Sequence, residues 1–290
     1  MRRPAHHGIR AIVAGASSLT LLAGCSANAS DDADPAPRVS SGVTSAALPS
    51  THVHGVGRDP GDGTLLLATH EGLFRYGADG PARVGPTIDL MGFAIVGAGH
   101  YYASGHPNTV RELPQPMGLI ESTDSGKTWT VLSRGGLSDF HTLTRAGDIL
   151  IAFDGQLRRT SDHRTWSTAG LLGEPRTLSS DPEGKTVLAT TEEGLMASKD
   201  QGVTWTAVAG APRLQQAAFG DTRTAVGVTL DGAVAMSTDG AKTWRLTGAS
   251  VPPPQAMSVS MTTSGIEVLV VTEKDVLSSR DGTKFTAISE

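Results

Sequence analysis

The chain has 290 residues and a formal net charge of −5, and only 4% of its residues are aromatic. An acidic chain without a basic run argues against nucleic-acid binding and against electrostatic adhesion to anionic lipid. Cys25 is the only cysteine. An internal disulfide and a metal site built from thiolates are therefore both excluded.

The first 24 residues have the features of a targeting segment. Arg2, Arg3 and Arg10 precede an apolar run over residues 11–22 that is short for a transmembrane helix. The run ends in Leu22-Ala23-Gly24-Cys25, which resembles the lipobox of bacterial lipoproteins. The resemblance implies cleavage before Cys25 and lipidation of that residue. An ordinary secretory signal peptide is the alternative.

Residues 25–50 are rich in Ser, Ala, Asp and Pro and contain few large apolar side chains. This composition predicts a disordered tether. With the signal peptide removed, three arginines are lost and the formal charge falls from −5 to −8. We expect a single domain over residues 51–290, held by its lipid on the extracytoplasmic side of a bacterial cell membrane.

One pattern, Ser-x-Asp-x-Gly-x-x-Trp, recurs through this domain at intervals of about 40 residues. The copies begin at residues 122, 160, 198, 237 and 279, and two of them are one residue shorter than the others. They contain all four tryptophans of the chain. The pattern residues are Ser122, Asp124, Gly126, Trp129, Asp162, Trp166, Ser198, Asp200, Gly202, Trp205, Ser237, Asp239, Trp244, Asp281 and Phe285.

Short runs rich in Val, Leu, Ile and Thr, separated by Asp-Pro, Asp-Gly and Gly-rich turns, fill each interval. Each interval fits four strands, A to D, with the repeat pattern in the turn between C and D. The sequence therefore predicts an all-β fold, a β-propeller of about six four-stranded blades. A seventh, incomplete blade is the alternative. The predicted blades span residues 51–86, 87–134, 135–170, 171–210, 211–250 and 251–290.

The repeat resembles the Asp-box, or BNR repeat, of sialidases, sortilin-like receptors and photosystem assembly factors. The resemblance implies a structural turn on the outer rim, in which Asp and Ser bond the backbone and Trp packs between blades. Function is then expected on the opposite face, which is formed by the starts of the A strands and the B–C turns. We call this face the strand-A face.

Five of the seven histidines that follow the signal peptide fall on the strand-A face. His52 and His54 have the spacing that places two side chains on one side of a strand. Histidines from three adjacent blades could supply three or four nitrogen ligands to Zn(II) or Cu(II), and a methionine would favour copper. The alternative is that each is an ordinary hydrogen-bonded histidine at a channel rim. The candidate ligands are His52, His54, His70, His106, His141 and Met91.

Arginines form a second candidate site on the same face. Arg176 and Arg213 are predicted at the starts of A strands, and Arg111 lies in an insertion over residues 108–117. Three guanidinium groups could hold an anionic ligand, as the arginines of a sialidase hold a carboxylate. However, the Phe/Tyr-Arg-Ile-Pro segment of sialidases is missing, and no tyrosine is placed to serve as their nucleophile.

Three functional hypotheses follow. The segments His52–Gly55, Ala68–Phe74 and Ser104–Pro107 resemble bacterial lipoproteins that are labelled glycosylhydrolases by similarity to the sialidase superfamily. That label depends on the fold, and fold does not establish function. We favour a membrane-anchored propeller that binds a small ligand, with Cu or Zn as the candidate ion. The alternatives are a glycoside hydrolase that acts on extracellular sugars and a scaffold or receptor for another envelope protein.

Overall fold

The computed structural model describes residues 48–171 and 173–288. The predicted signal peptide, Cys25 and most of the predicted tether lie outside the described residues. Within the described part, no helix is long and apolar enough to cross a membrane.

The described chain forms six antiparallel sheets of four strands. Within each sheet, every strand pairs with the next one along the chain. Every sheet lies within one predicted blade, so the prediction of a six-bladed propeller is confirmed. Blades 1 to 3 consist of β1 (Val53–Arg58), β2 (Leu65–Thr69), β3 (Gly72–Gly77), β4 (Gly80–Val84); β5 (Asp89–Gly97), β6 (His100–His106), β7 (Leu119–Ser122), β8 (Thr130–Ser133); and β9 (Thr142–Ala146), β10 (Ile149–Phe153), β11 (Leu157–Thr160), β12 (Ser167–Ala169).

The remaining blades follow the same order, with the first strand of each lining a central channel. Blades 4 to 6 consist of β13 (Thr177–Ser180), β14 (Val187–Thr191), β15 (Gly194–Ser198), β16 (Thr206–Ala207); β17 (Leu214–Phe219), β18 (Ala225–Thr229), β19 (Ala233–Ser237), β20 (Arg245–Ser250); and β21 (Ala256–Thr262), β22 (Gly265–Val271), β23 (Val276–Ser279), β24 (Thr286–Ala287).

The hydrophobic core lies between the blades rather than inside any one of them. Each pair of neighbouring blades shares one apolar cluster. In blades 2 to 6 the aromatic residue of the repeat packs into the cluster shared with the preceding blade. Because neighbouring blades cover both faces of each sheet in this way, the second strands are mostly buried. These aromatic residues are Trp129, Trp166, Trp205, Trp244 and Phe285.

Blades 6 and 1 close the ring without sharing a strand. Their apolar cluster contains residues of both blades, including Val53 and Leu269. The Gln255 side chain accepts a hydrogen bond from Val53 N at 2.8 Å and donates one to Thr51 O at 3.1 Å. An ion pair joins Arg58 to Glu267 at 3.0 Å. The ring is thus closed by packing and side-chain bonds.

The C–D turns of blades 2, 4 and 5 have one hydrogen-bond pattern. In blade 4, Ser198 Oγ donates to Asp200 and accepts from Gly202 N at 2.8 Å. Asp200 accepts from Thr204 N at 2.9 Å and from the Thr204 hydroxyl at 2.6 Å. In blade 5, Ala241 takes the place of this glycine and has a φ of 63°. The turn therefore tolerates a Cβ in the left-handed region, at some cost in strain.

Acid should destabilise the protein through these turns. Hydrogen bonds from Thr204 and Ser198 lower the pKa of Asp200 to about 2, and similar bonds lower the pKa of Asp124, Asp162, Asp239 and Asp281. A carboxylate with a lowered folded-state pKa contributes stability above its unfolded pKa, and that contribution is lost as the pH falls through the folded value. We expect the melting temperature to fall steeply below about pH 4.

The variant Asp200→Asn isolates one turn. Its melting temperature should be lower than that of the wild type at pH 7 and should change less between pH 4 and pH 2. Asp148→Asn is the matched control, because the Asp148 side chain is 97% exposed. Equal acid dependence in Asp200→Asn and the wild type would contradict this account.

Candidate metal centre

The central channel has a volume of about 500 Å³. At the strand-A face, each of the six blades contributes one polar or methionine side chain to its wall. These residues lie at the start of a first strand or immediately before it, so the closed ring directs them toward one opening. They are His54, Met91, His141, Arg176, Gln216 and Gln255.

The strand register shows that His54, Met91 and His141 occupy equivalent positions in blades 1, 2 and 3. Bulges interrupt the A–B pairing of blades 1 and 2 at His54 and Met91. In blade 3, His141 N donates to Phe153 O next to the first regular pair. The residues two positions earlier are His52, Asp89 and Asp139. The three first strands thus begin with His-x-His, Asp-x-Met and Asp-x-His.

Three histidines of blade 1 form a stack. The His70 ring lies 5.0 Å from His52 and 4.6 Å from His54, measured between centroids, with interplanar angles of 24° and 12°. His70 follows β2 in the B–C turn, and its carbonyl accepts a hydrogen bond from Asn108 at 2.8 Å. The insertion in blade 2 therefore contacts the turn that carries His70.

Asp89 of blade 2 completes a group with two of these rings. The ligand atoms of His54, His70 and Asp89 lie within 4.8 Å of one another, and His70 Nε2 is 4.0 Å from Asp89 Oδ1. Gly105 allows this arrangement, because a Cβ at that position would lie 2.1 Å from Asp89 O. Ligand atoms of two imidazoles and a carboxylate from adjacent blades are thus gathered in one small region.

A second group lies between blades 2 and 3. Asp139 Oδ2 is 3.1 Å from His106 Nε2 and 2.9 Å from His141 Nε2. Gln115 of the insertion contacts His106 Nδ1 at 2.9 Å. Phe140 N donates to the buried Ser104 Oγ at 2.9 Å, which fixes the segment that carries Asp139 and His141.

Three buried side-chain polar atoms have no hydrogen-bond partner within residues 48–171 and 173–288, and all three belong to these two groups. They are His54 Nε2, Asp89 Oδ1 and Asp139 Oδ1. A buried polar atom without a partner costs about 1–3 kcal/mol. Such atoms are rare in folded proteins, and a bound ion or an ordered water would satisfy them.

The pKa values of the four residues are shifted in different directions by their surroundings. Burial and the neighbouring His70 and His52 lower the pKa of His54 to about 4. Burial raises the pKa of Asp89. The hydrogen bond to Asp139 raises the pKa of His141. Burial alone would raise the pKa of Asp139, but the hydrogen bond and charge of His141, with the charge of His106, lower it. At neutral pH His54 is therefore an uncharged imidazole.

The predicted histidine set is divided rather than gathered around one point. His52, His54 and His70 lie together in blade 1, whereas His106 and His141 lie with Asp139. Asp89 and Asp139 were not among the residues predicted from the sequence. The spacing that singled out His52 and His54 recurs in Asp89-x-Met91 and Asp139-x-His141, and comparison of the three strand starts would have found both carboxylates.

The three predicted arginines do not share one pocket. Arg176 lines the channel and is paired with Glu192 at 3.7 Å. Arg111 lines a separate surface pocket with His106, and Arg213 donates to the carbonyl of Glu192. The sialidase-like clamp of three guanidinium groups is therefore not assembled in this structure. The tyrosines (Tyr76, Tyr101 and Tyr102) are buried in strands, away from the channel wall.

Comparison with solved structures places the chain among β-propellers. YCF48 bound to D1 peptide matches with a TM-score of 0.53 at 16% identity, over 84% of each chain. The GH74 enzyme of Niastella koreensis matches at 0.57 and 19%, over 82% of this chain and 37% of that one. The extracellular domain of BT4673 from B. thetaiotaomicron matches at 0.58 and 14%, over 83% and 34%.

This chain thus spans about a third of the length of the last two proteins. No family model matches the sequence, and no curated protein does. Likeness at these identities defines the fold and leaves the activity open.

Histidine titration in metal-free protein tests the geometry of the two groups. We expect the His54 ring to stay neutral between pH 5.5 and pH 8, and His141 to titrate above the usual value of about 6.5. Two-dimensional NMR of the imidazole carbons measures both. In Asp139→Asn the pKa of His141 should fall, because its hydrogen-bonded carboxylate is gone. A His54 ring that titrates near 6.5 would contradict the buried stack.

Proposed function

We propose that the protein is a membrane-anchored, extracytoplasmic β-propeller that binds a transition-metal ion through His54, His70 and Asp89. The observation that carries the proposal is that two unpartnered buried atoms, His54 Nε2 and Asp89 Oδ1, belong to residues whose ligand atoms lie within 4.8 Å of one another. A bound ion would satisfy both atoms at once. The proposal treats the propeller as a binding protein.

The donor set favours Zn(II) or Cu(II). Zinc binds imidazole nitrogen and carboxylate oxygen at about 2.0–2.2 Å, and imidazole also suits copper. Ligand atoms around such an ion are about 3.4 Å apart in a tetrahedron, and His70 Nε2 and Asp89 Oδ1 are already 4.0 Å apart. Because the His54 and His70 rings are stacked at 12°, their in-plane lone pairs are nearly parallel, and one ring must rotate out of the stack to complete the site. Three protein ligands leave a coordination position open for a further ligand from the channel.

The surroundings restrain the His70 ring. His52 stacks on this ring, and Asn108 of the insertion donates a hydrogen bond to the His70 carbonyl. Such outer contacts hold metal ligands in position. A neutral His54 is also the form that coordinates a metal, and binding then requires no loss of a proton from that ring.

Metal analysis of protein purified without a His-tag tests the proposal. We expect at least one Zn or Cu per chain by mass spectrometry, with the affinity reduced at least tenfold in His54→Gln and in Asp89→Asn. Asp148→Asn should bind as the wild type does. A metal-free protein that gains no ion on titration would refute the proposal.

In that case the hydrolase hypothesis would gain weight. Glu192 and Glu193 line a surface pocket with Arg176, so they are the carboxylates to examine. Release of a sugar from a panel of fluorogenic glycosides, abolished in Glu192→Gln or Glu193→Gln, would favour glycoside hydrolysis.

The anchor is a separate part of the proposal. It is supported by the lipobox-like Leu22-Ala23-Gly24-Cys25 and by the resemblance of His52–Gly55, Ala68–Phe74 and Ser104–Pro107 to bacterial lipoproteins. We expect the wild-type protein to be found in the membrane fraction and to incorporate labelled fatty acid. Cys25→Ala should abolish the label and release the protein or leave its signal peptide uncleaved. Fatty-acid incorporation that persists in Cys25→Ala would contradict the assignment of Cys25.

A further inference from the structure

The metal-ligand group has a counterpart one blade further round the ring. In the first group, His70 from the B–C turn of blade 1 faces Asp89 at the start of blade 2. By the same register, His106 at the B–C turn of blade 2 faces Asp139 at the start of blade 3, at 3.1 Å. The histidine–aspartate pair therefore occurs twice, related by the rotation that relates the blades.

We propose that His106, Asp139 and His141 bind a second transition-metal ion. This inference rests on the proposed function, because it takes the first group as a metal site. The independent observation is the third unpartnered atom, Asp139 Oδ1, whose carboxylate contacts His106 and His141. The second group supplies the same donors as the first, two imidazoles and one carboxylate.

The source of the second imidazole differs between the two groups. The residue equivalent to His54 in blade 2 is Met91, which lines the channel. In its place His141 of blade 3 lies 2.9 Å from Asp139 Oδ2.

Asp139 Oδ2 lies between the two Nε2 atoms, at 3.1 and 2.9 Å, and the three side chains do not meet the 4.8 Å spacing of the first group. The His141 ring must therefore turn before one ion can contact all three side chains, and binding would displace the protons between them. Gln115 contacts Nδ1 of His106, on the opposite side of the ring, and its amide can orient the imidazole when Nε2 coordinates. His141 is 60% exposed, so an ion can enter from the channel.

Each group supplies its own carboxylate, Asp89 in the first and Asp139 in the second, so each ion would have one negatively charged ligand.

Equilibrium dialysis of the whole chain against buffered Zn(II), with the metal counted by mass spectrometry, tests the proposal. We expect two ions in the wild type and in Asp148→Asn, and one ion in Asp89→Asn and in Asp139→Asn. His141→Gln, which changes an exposed ring, should also bind one ion and serves as the second variant if Asp139→Asn fails to fold. Circular dichroism checks the fold of each variant.

The alternative outcomes are distinct. One ion in the wild type, kept in Asp139→Asn and His141→Gln but lost in Asp89→Asn, would overturn the second site and leave the proposed function standing. One ion lost in all three variants would show a single shared site and would also overturn the second site. No ion in the wild type would overturn both proposals.

Discussion

Closure of the ring between blades 6 and 1 is the constraint on which the candidate site depends. Because no strand is shared, the apolar cluster, the Gln255 hydrogen bonds and the Arg58–Glu267 pair hold blade 1 in the ring. Blade 1 carries three of the clustered histidines, and their partner Asp89 belongs to blade 2. The closed ring, together with the apolar cluster that blades 1 and 2 share, fixes the angle between these blades and keeps the ligand atoms together.

The repeat places the structural turns and the candidate ligand residues on opposite faces of the propeller. Its Ser–Asp turns occupy one face, and its aromatic residues fill the clusters between blades, so each blade starts its first strand on the opposite face at an equivalent place. Blades 1 to 3 place histidine, aspartate or methionine there, whereas blades 4 to 6 place arginine and glutamine. The same scaffold thus presents donor atoms on one side of the channel and a cation with amides on the other.

The architecture could be predicted from sequence because the repeat has a long, regular interval and every copy carries an aromatic residue. The histidines could be predicted as a group because their positions within the interval match. The division into two groups could not, since it depends on the inter-blade angle, on the bulges at His54 and Met91, and on Asn108 and Gln115 of the insertion. The two aspartates look like ordinary turn residues until the register aligns them with His52.

X-ray absorption spectroscopy of zinc-loaded protein tests the central claim, metal binding by imidazole and carboxylate groups at the strand-A face. The account predicts a first shell of nitrogen and oxygen only, at about 2.0–2.2 Å, with outer-shell scattering from imidazole rings that is weakened in His54→Gln. A first shell without imidazole, a spectrum unchanged in His54→Gln, or zinc coordinated by water alone would contradict it.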